Sequence, residues 1–64
     1  MPYIIIDGPP IRDLDVKRAL VKEITDAMEK AFKLPRETYT VLLKENTAEN
    51  VGVGGRLVID RREE

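Results

Sequence analysis

Residues 3–32 read YIIIDGPPIRDLDVKRALVKEITDAMEKAF, and within them a strand pattern gives way to a helical one. Tyr3–Ile6 is aromatic and β-branched, which indicates a strand buried on both faces. Asp7–Pro10 ends this strand, because glycine permits a turn and two prolines cannot donate to a sheet ladder. Asp13 is then placed to cap a helix that runs from Leu14 to about Phe32.

The predicted helix carries apolar side chains at spacings of three and four residues, which indicates one buried face. These side chains are Leu20, Ile24, Ala27, Met28, Ala31 and Phe32. The opposite face is charged and holds Lys17, Arg18, Lys22, Asp26, Glu29, Lys30 and Lys33. Pro35 ends the helix, because the residue before a proline is pushed out of the helical conformation.

Residues 37–45 alternate between two faces, which predicts a second strand. Tyr39, Val41 and Leu43 lie on one face, and Thr38, Thr40, Leu42 and Lys44 lie on the other. A polar loop over 46–50 follows, then the glycine-rich segment Val51–Gly55. Leu57–Ile59 has the composition of a short third strand, and residues 60–64 form a charged tail.

The order of these elements predicts an α/β (α+β) fold, a β-α-β subunit with a short C-terminal hairpin, in a single domain over residues 1–64. A strand-helix-strand unit joins parallel strands through a right-handed crossover. One helix covers only one face of the sheet, so the apolar residues of the other face require another chain. We therefore expect a closed, symmetric homo-oligomer.

Length and composition support this expectation and exclude several classes of protein. A chain of 64 residues buries only about 60% of the surface that its unfolded form exposes, so it is marginal as a monomer. With no cysteine and no histidine, it offers no disulfide, no thiolate and no imidazole ligand, and we expect no metal site. A net charge of −1 argues against nucleic-acid binding. The apolar runs are too short to cross a membrane, so a cytoplasmic location is expected.

Pro2 is the first candidate for proton-transfer chemistry. Removal of Met1 would leave a secondary amine at the chain end, and an ordinary α-amino group has a pKa of about 7.7–8.0. Without histidine or cysteine, any other base near neutral pH needs a perturbed carboxylate, lysine or tyrosine. By itself, however, a Met-Pro start is common and carries no function.

Arg12 is the second candidate, because it follows the first strand and a guanidinium there could bind a carboxylate through two parallel hydrogen bonds. The alternative is a solvated loop charge. Gly52–Gly55 has the glycines of a phosphate-binding loop, yet it opens no predicted helix and no Lys-Ser/Thr pair follows it. A glycine-rich hairpin is the better interpretation of that segment.

Taken together, these features resemble the small-subunit tautomerases of the 4-oxalocrotonate tautomerase family. The shared markers are Pro2, Arg12, the run Leu20–Ile24, Pro35 and the glycine hairpin. The resemblance extends over nearly the whole chain, in length and in the order of elements. It implies hexamers built as a trimer of dimers and no cofactor.

The resemblance also implies roles for individual residues. Pro2, freed of Met1, would be the general base that moves a proton between enol and keto forms of a 2-oxo acid, with 2-hydroxymuconate as the candidate substrate. Arg12 would be both a catalytic and a substrate-binding residue, because it would contact the substrate and stabilise the developing enolate. Thr40 and Val51 lie at further substrate-binding positions.

Three positions depart from the family pattern, and all three concern substrate binding. Thr40 stands where family members that act on dicarboxylates have a second arginine, and Val51 replaces an aromatic residue. Pro9 falls where the family uses a backbone N–H, which proline lacks. Another cation could replace the missing arginine, and the candidates are Arg36, Lys44, Arg56 and Arg61.

Two alternatives to a tautomerase remain open at this point. The same amine could serve a decarboxylase or a dehalogenase of unsaturated acids. A non-catalytic oligomer that binds a small acid or a partner could also keep this fold.

Overall fold

The computed structural model describes residues 1–61, so the last three residues of the predicted charged tail lie outside the described residues. The regular elements are β1 (Tyr3–Gly8), α1 (Leu14–Phe32), β2 (Thr40–Glu45), β3 (Gly52–Val53) and β4 (Arg56–Leu57). Strands β1 and β2 pair in parallel, and β3 and β4 form an antiparallel hairpin. The predicted β-α-β unit with a short C-terminal hairpin is confirmed.

The helix begins and ends where the sequence predicts. Asp13 is the N-cap, and its Oδ1 accepts a hydrogen bond from the backbone N–H of Asp15 at 2.9 Å. At the other end, Lys33 takes a left-handed conformation with φ of 58°, and its N–H donates to the carbonyl of Glu29. Pro35 follows two residues later, which prevents another helical turn.

The structure shortens two predicted strands. Strand β2 begins at Thr40 rather than at residue 37, because Arg36–Thr38 forms a 3₁₀ turn. In that turn the N–H of Thr38 donates to the carbonyl of Pro35 at 3.0 Å. The predicted third strand keeps only Leu57, in β4, since Val58–Asp60 also forms a 3₁₀ turn.

The two-stranded sheet has one covered face and one open face. Ile4, Ile6, Val41 and Leu43 are half-buried on the face toward α1. On the opposite face Tyr3 is 60% exposed and Ile5 51% exposed, and Leu42 is exposed as well. Within a single chain, α1 covers one side of the sheet and leaves the other open, so burial of β1 on both faces stays a prediction that depends on another chain.

Helix α1 packs through a different stripe from the one the sequence predicts. Leu20, Ile24 and Met28 are half-buried as expected, while Ala27, Ala31 and Phe32 are exposed. Thr25 is the one buried residue among those described, and its hydroxyl donates to the carbonyl of Val21 at 2.8 Å. The described part of the chain buries no hydrophobic side chain completely.

The dimensions of the chain agree with this lack of a core. Its radius of gyration is 15.4 Å, whereas a compact domain of this length has about 11 Å. The extents are 44 × 24 × 16 Å. An elongated chain that leaves apolar strand and helix surfaces open has the form of a subunit of a larger assembly.

Candidate functional site

Pro2 and Thr40 lie together at the end of the sheet where β1 begins. Tyr3 and Thr40 are register partners in the parallel pair. The backbone N–H of Thr40 donates to the carbonyl of Pro2 at 3.2 Å, which fixes Pro2 beside the start of β2. Pro2 itself is half-buried, while 84% of the surface of Met1 is exposed.

Arg12 lies at the opposite end of the sheet. Ile11, just before it, donates its backbone N–H to Oε2 of Glu45, the last residue of β2, at 3.0 Å. The same oxygen forms an ion pair with Nζ of Lys17 at 2.9 Å, so the loop, the helix and the sheet meet at one carboxylate. These contacts hold the pKa of Glu45 below its usual value, first through the Ile11 hydrogen bond and then through Lys17.

The sheet therefore separates the two residues that the sequence assigns to catalysis. The six residues of β1 span about 20 Å at about 3.3 Å per residue. Pro2 precedes that span, and Arg12 follows it. A single site that uses both residues requires Pro2 of one copy and Arg12 of another.

A cleft of about 420 Å³ lies beyond the carboxyl end of β1. It joins Pro9 and Val51, two of the three positions at which the sequence departs from the pattern of the family it resembles. Apolar side chains form most of its wall, namely Pro9, Ala48, Val51 and Val58. The 3₁₀ turn after β4 closes it, because the N–H of Val58 donates to the carbonyl of Val51 at 2.8 Å. Neither Arg12 nor Thr40 of the same chain lines this cleft.

Two polar side chains of the cleft, Asp7 and Asn46, were missed as site residues in the sequence. The side-chain amide of Asn46 donates to Oδ1 of Asp7 at 3.4 Å, and its backbone N–H donates to the carbonyl of Gly8 at 2.8 Å. The sequence predicts Asp7 in the turn that ends β1, and this prediction is wrong, because β1 extends through Asp7 to Gly8 and pairs with β2 over that length. One signal in the sequence could have found Asp7. Tyr3, Ile5 and Asp7 are alternate residues of one strand, so Asp7 lies on the same exposed face as the other two.

A second groove, of about 600 Å³, lies between α1 and β2 and has a cationic rim. Most of the cationic side chains at this rim form ion pairs with carboxylates of the same chain. Nη1 of Arg36 lies 2.9 Å from Oδ1 of Asp26 and 2.7 Å from Oε1 of Glu29. Lys22 also pairs with Asp26, and this hydrogen bond is the main reason why the pKa of Asp26 is lowered. Arg36 is thus engaged within its own chain.

The other candidate cations have different surroundings. Lys44 is the register partner of Asp7 and lines a smaller cleft of about 300 Å³ next to the first. Arg56 donates to the carbonyl of Asp60 at 3.2 Å. Arg61 is exposed.

Residues 1–61 lack two further features that would indicate other functions. They contain no group of three or more acidic, histidine or cysteine side chains that could hold a metal ion. None of the helices in this part of the chain has the length and hydropathy needed to cross a membrane.

Known proteins with similar sequences and folds agree with this architecture. Residues 2–61 match the family described as Tautomerase enzyme. A probable tautomerase of Listeria innocua is 42% identical over 55 residues, which are 86% of this chain and 90% of that protein. The crystal structure of DmpI from Archaeoglobus fulgidus superposes with a TM-score of 0.79 at 39% identity, over 92% of this chain and all of that one.

The resemblance to the 4-oxalocrotonate tautomerase family is confirmed by a further solved structure. A homologue of 4-oxalocrotonate tautomerase superposes with a TM-score of 0.87 at 25% identity, over 98% of this chain and 100% of that chain. Family match, sequence identity and fold agree over almost the whole length. The chain belongs to the tautomerase enzyme family, and it is an isomerase.

Proposed function

We propose that this protein interconverts the enol and keto forms of 2-oxo acids, and that Pro2, once Met1 is removed, is the general base. One observation carries the proposal: the family match spans residues 2–61 and begins at Pro2. Among the residues of the chain, the terminal amine is also the group whose ordinary pKa lies nearest to neutrality.

The proposed reaction moves one proton and needs no cofactor. The nitrogen of Pro2 accepts the proton as the enol O–H bond breaks and the C=O bond forms. The resulting ammonium then gives the proton to a carbon of the conjugated acid, where a C–H bond forms. A base whose pKa lies close to the operating pH serves both steps, since it must gain the proton and lose it.

The surroundings of Pro2 favour a neutral amine. Pro2 is half-buried and directly precedes Tyr3, at the edge of an apolar sheet face. Covering that face with another subunit desolvates the amine, and desolvation disfavours its ammonium form. An arginine of a neighbouring subunit acts in the same direction, because a nearby positive charge also lowers the pKa of an amine.

The second part of the proposal is that the active site forms only in an oligomer, and we expect the hexamer that the family resemblance implies. Pro2 and Thr40 lie at one end of the sheet, while Arg12, Pro9 and Val51 lie at the other. A neighbouring copy would supply Arg12 to bind the carboxylate of the substrate and to stabilise the enolate oxygen in the transition state. The open sheet face provides the apolar surface for this association.

The experiment that tests the proposed function compares processed protein with its Pro2→Ala variant. Intact mass first establishes that Met1 is absent, since a retained Met1 would make the nitrogen of Pro2 an amide without basicity. Ketonisation of 2-hydroxymuconate is then followed by absorbance. We expect Pro2→Ala to lower kcat by about 100-fold or more, the usual contribution of a general base. An unchanged kcat in that variant would refute the role of Pro2.

A further inference from the structure

Among the residues that line the cleft at the end of β1, Asp7 carries the charge, and that charge is negative. Asp7 lines both this cleft and the smaller one beside it. Within residues 1–61 its carboxylate forms no ion pair, and its hydrogen-bond partner is the amide of Asn46 at a long 3.4 Å. Lys44 lies opposite Asp7 in the strand register, yet the two charged groups form no ion pair in this part of the chain.

The rest of the cleft suits an uncharged part of a ligand. Its walls are mainly Pro9, Ala48, Val51 and Val58, and its volume of about 420 Å³ falls in the range of small-molecule sites. The backbone at Pro9 offers no N–H to an anion. A carboxylate entering the cleft would lose its hydration and would meet the negative charge of Asp7.

Among residues 1–61, Thr40 occupies the position at the other end of the proposed site where the family pattern has a second arginine. Thr40, held against Pro2 by the 3.2 Å backbone hydrogen bond, brings a hydroxyl but no charge. Arg36, one of the two cations nearest to Thr40 in sequence, is paired with Asp26 and Glu29. The other, Lys44, lies opposite Asp7 toward the far end of β2. We therefore assign the carboxylate of the substrate to Arg12, as the family resemblance implies, and a Lys44 variant tests the other cation near the cleft.

From these observations we infer that the substrate is a 2-oxo acid with a single carboxylate and an apolar tail, and that Asp7 disfavours substrates with a second carboxylate. Arg12 binds the one carboxylate, and the tail occupies the apolar cleft. Asp7 is then a residue that determines specificity without taking part in the proton transfer. This inference rests on the proposed function and names its substrate class.

The test uses two substrates that differ only at the far end of the molecule. One is 2-hydroxymuconate, and the other is 2-hydroxyhexa-2,4-dienoate, in which a methyl group replaces the second carboxylate. Processed native protein is expected to show the higher kcat/KM for the monocarboxylate. In Asp7→Asn, the ratio of kcat/KM for the dicarboxylate to that for the monocarboxylate should rise about tenfold, as expected from partly screened like charges.

Ionic strength and a control variant distinguish electrostatic repulsion by Asp7 from a general change in the structure of the variant. Raising the ionic strength should raise the ratio of kcat/KM for the dicarboxylate to that for the monocarboxylate in native protein, and should change it less in Asp7→Asn, because the attraction to Arg12 that salt also screens is common to both substrates. Glu23→Gln removes one negative charge from an exposed position of α1. It should leave the ratio between the two substrates unchanged.

Three results of the activity assays would overturn the inference: a native preference for the dicarboxylate, an equal effect of Asp7→Asn on both substrates, or a selective loss of the dicarboxylate reaction in Lys44→Gln. The last would mean that Lys44 binds the second carboxylate.

If Pro2→Ala abolishes both reactions while Asp7→Asn leaves their ratio unchanged, the inference about Asp7 fails and the proposed function stands. If native protein converts neither enol, the proposed function fails. Calorimetric binding of hexanoate and adipate then still tests Asp7, and tighter binding of adipate would overturn its role.

Discussion

The backbone N–H of Ile11 donates to Oε2 of Glu45 at 3.0 Å, across 34 positions of sequence. This bond ties the loop before α1 to the end of β2, and Lys17 adds the helix to the same carboxylate at 2.9 Å. Arg12 follows Ile11 directly, so the same bond also helps to fix the position of the Arg12 backbone at this end of the sheet. The carboxylate of Glu45 thereby connects helix α1 and the loop before it to the end of the sheet where Arg12 lies.

The first prediction concerns the pH dependence of this tether. The pKa of Glu45 is held below its usual value near 4.5, so the folded state binds fewer protons there than the unfolded state. The stabilising contribution is therefore present above pH 4.5 and is lost as the pH falls through the lowered pKa of the folded protein. Urea unfolding at several pH values should show this loss in native protein and less of it in Glu45→Gln.

Asp15→Asn is the control for that measurement, because Asp15 pairs with Arg18 on the helix surface and forms no tether to the sheet. It should keep the acid dependence of native protein below pH 4.5. The same slope in Glu45→Gln as in native protein would show that Glu45 contributes nothing to it.

The second prediction concerns the separation of Pro2 and Arg12. Because the length of β1 keeps them apart in one chain, Pro2→Ala and Arg12→Ala should complement each other in mixed oligomers. Co-expression at equal levels should restore activity in up to about a quarter of the sites, those that receive an intact Pro2 and an intact Arg12 from different copies. Activity of the co-expressed oligomers that does not exceed that of the separate variants would place both residues in one chain's site.

The third prediction concerns the open face of the sheet. Ile5 is 51% exposed there, beside Leu42, its register partner on β2. Ile5→Asp should shift the protein to smaller species in analytical ultracentrifugation and lower its stability, since burying an unpaired carboxylate at an apolar interface is costly. Thr47→Asp adds the same charge at an exposed loop position and should keep the native mass.

The fourth prediction concerns the hairpin turn between β3 and β4. Gly54 and Gly55 both have positive φ, 62° and 86°, as a two-residue hairpin loop of this kind requires. Gly55→Ala should lower the free energy of unfolding by about 1–2 kcal/mol, because a Cβ is strained in that region. Urea unfolding measures this difference.

Gly8→Ala is the matched control for the hairpin variant. Gly8 has no positive φ, and a Cβ built there meets nothing within 4 Å. Its stability should equal or slightly exceed that of native protein. Equal effects of the two substitutions would argue against a special requirement at Gly55.

The sequence by itself determined the secondary structure wherever local chemistry is strong. The Asp13 cap, the stop before Pro35 and the paired glycines of the hairpin are local signals, because each satisfies or forbids backbone hydrogen bonds within a few residues. Those signals placed α1 and the hairpin correctly. The strand ends were less certain, since a proline-initiated turn over Arg36–Thr38 competed with extension of β2.

Only the tertiary structure decided how the candidate residues are distributed. The parallel pairing of β1 and β2 places Pro2 beside Thr40 and sends Arg12 to the far end, a relationship that depends on strand register rather than on local sequence. Likewise, Asp7 became part of a cleft only when the segment from Ala48 to Val58 folded over the end of β1. Residues far apart in sequence meet through such packing, and no local pattern encodes their distance.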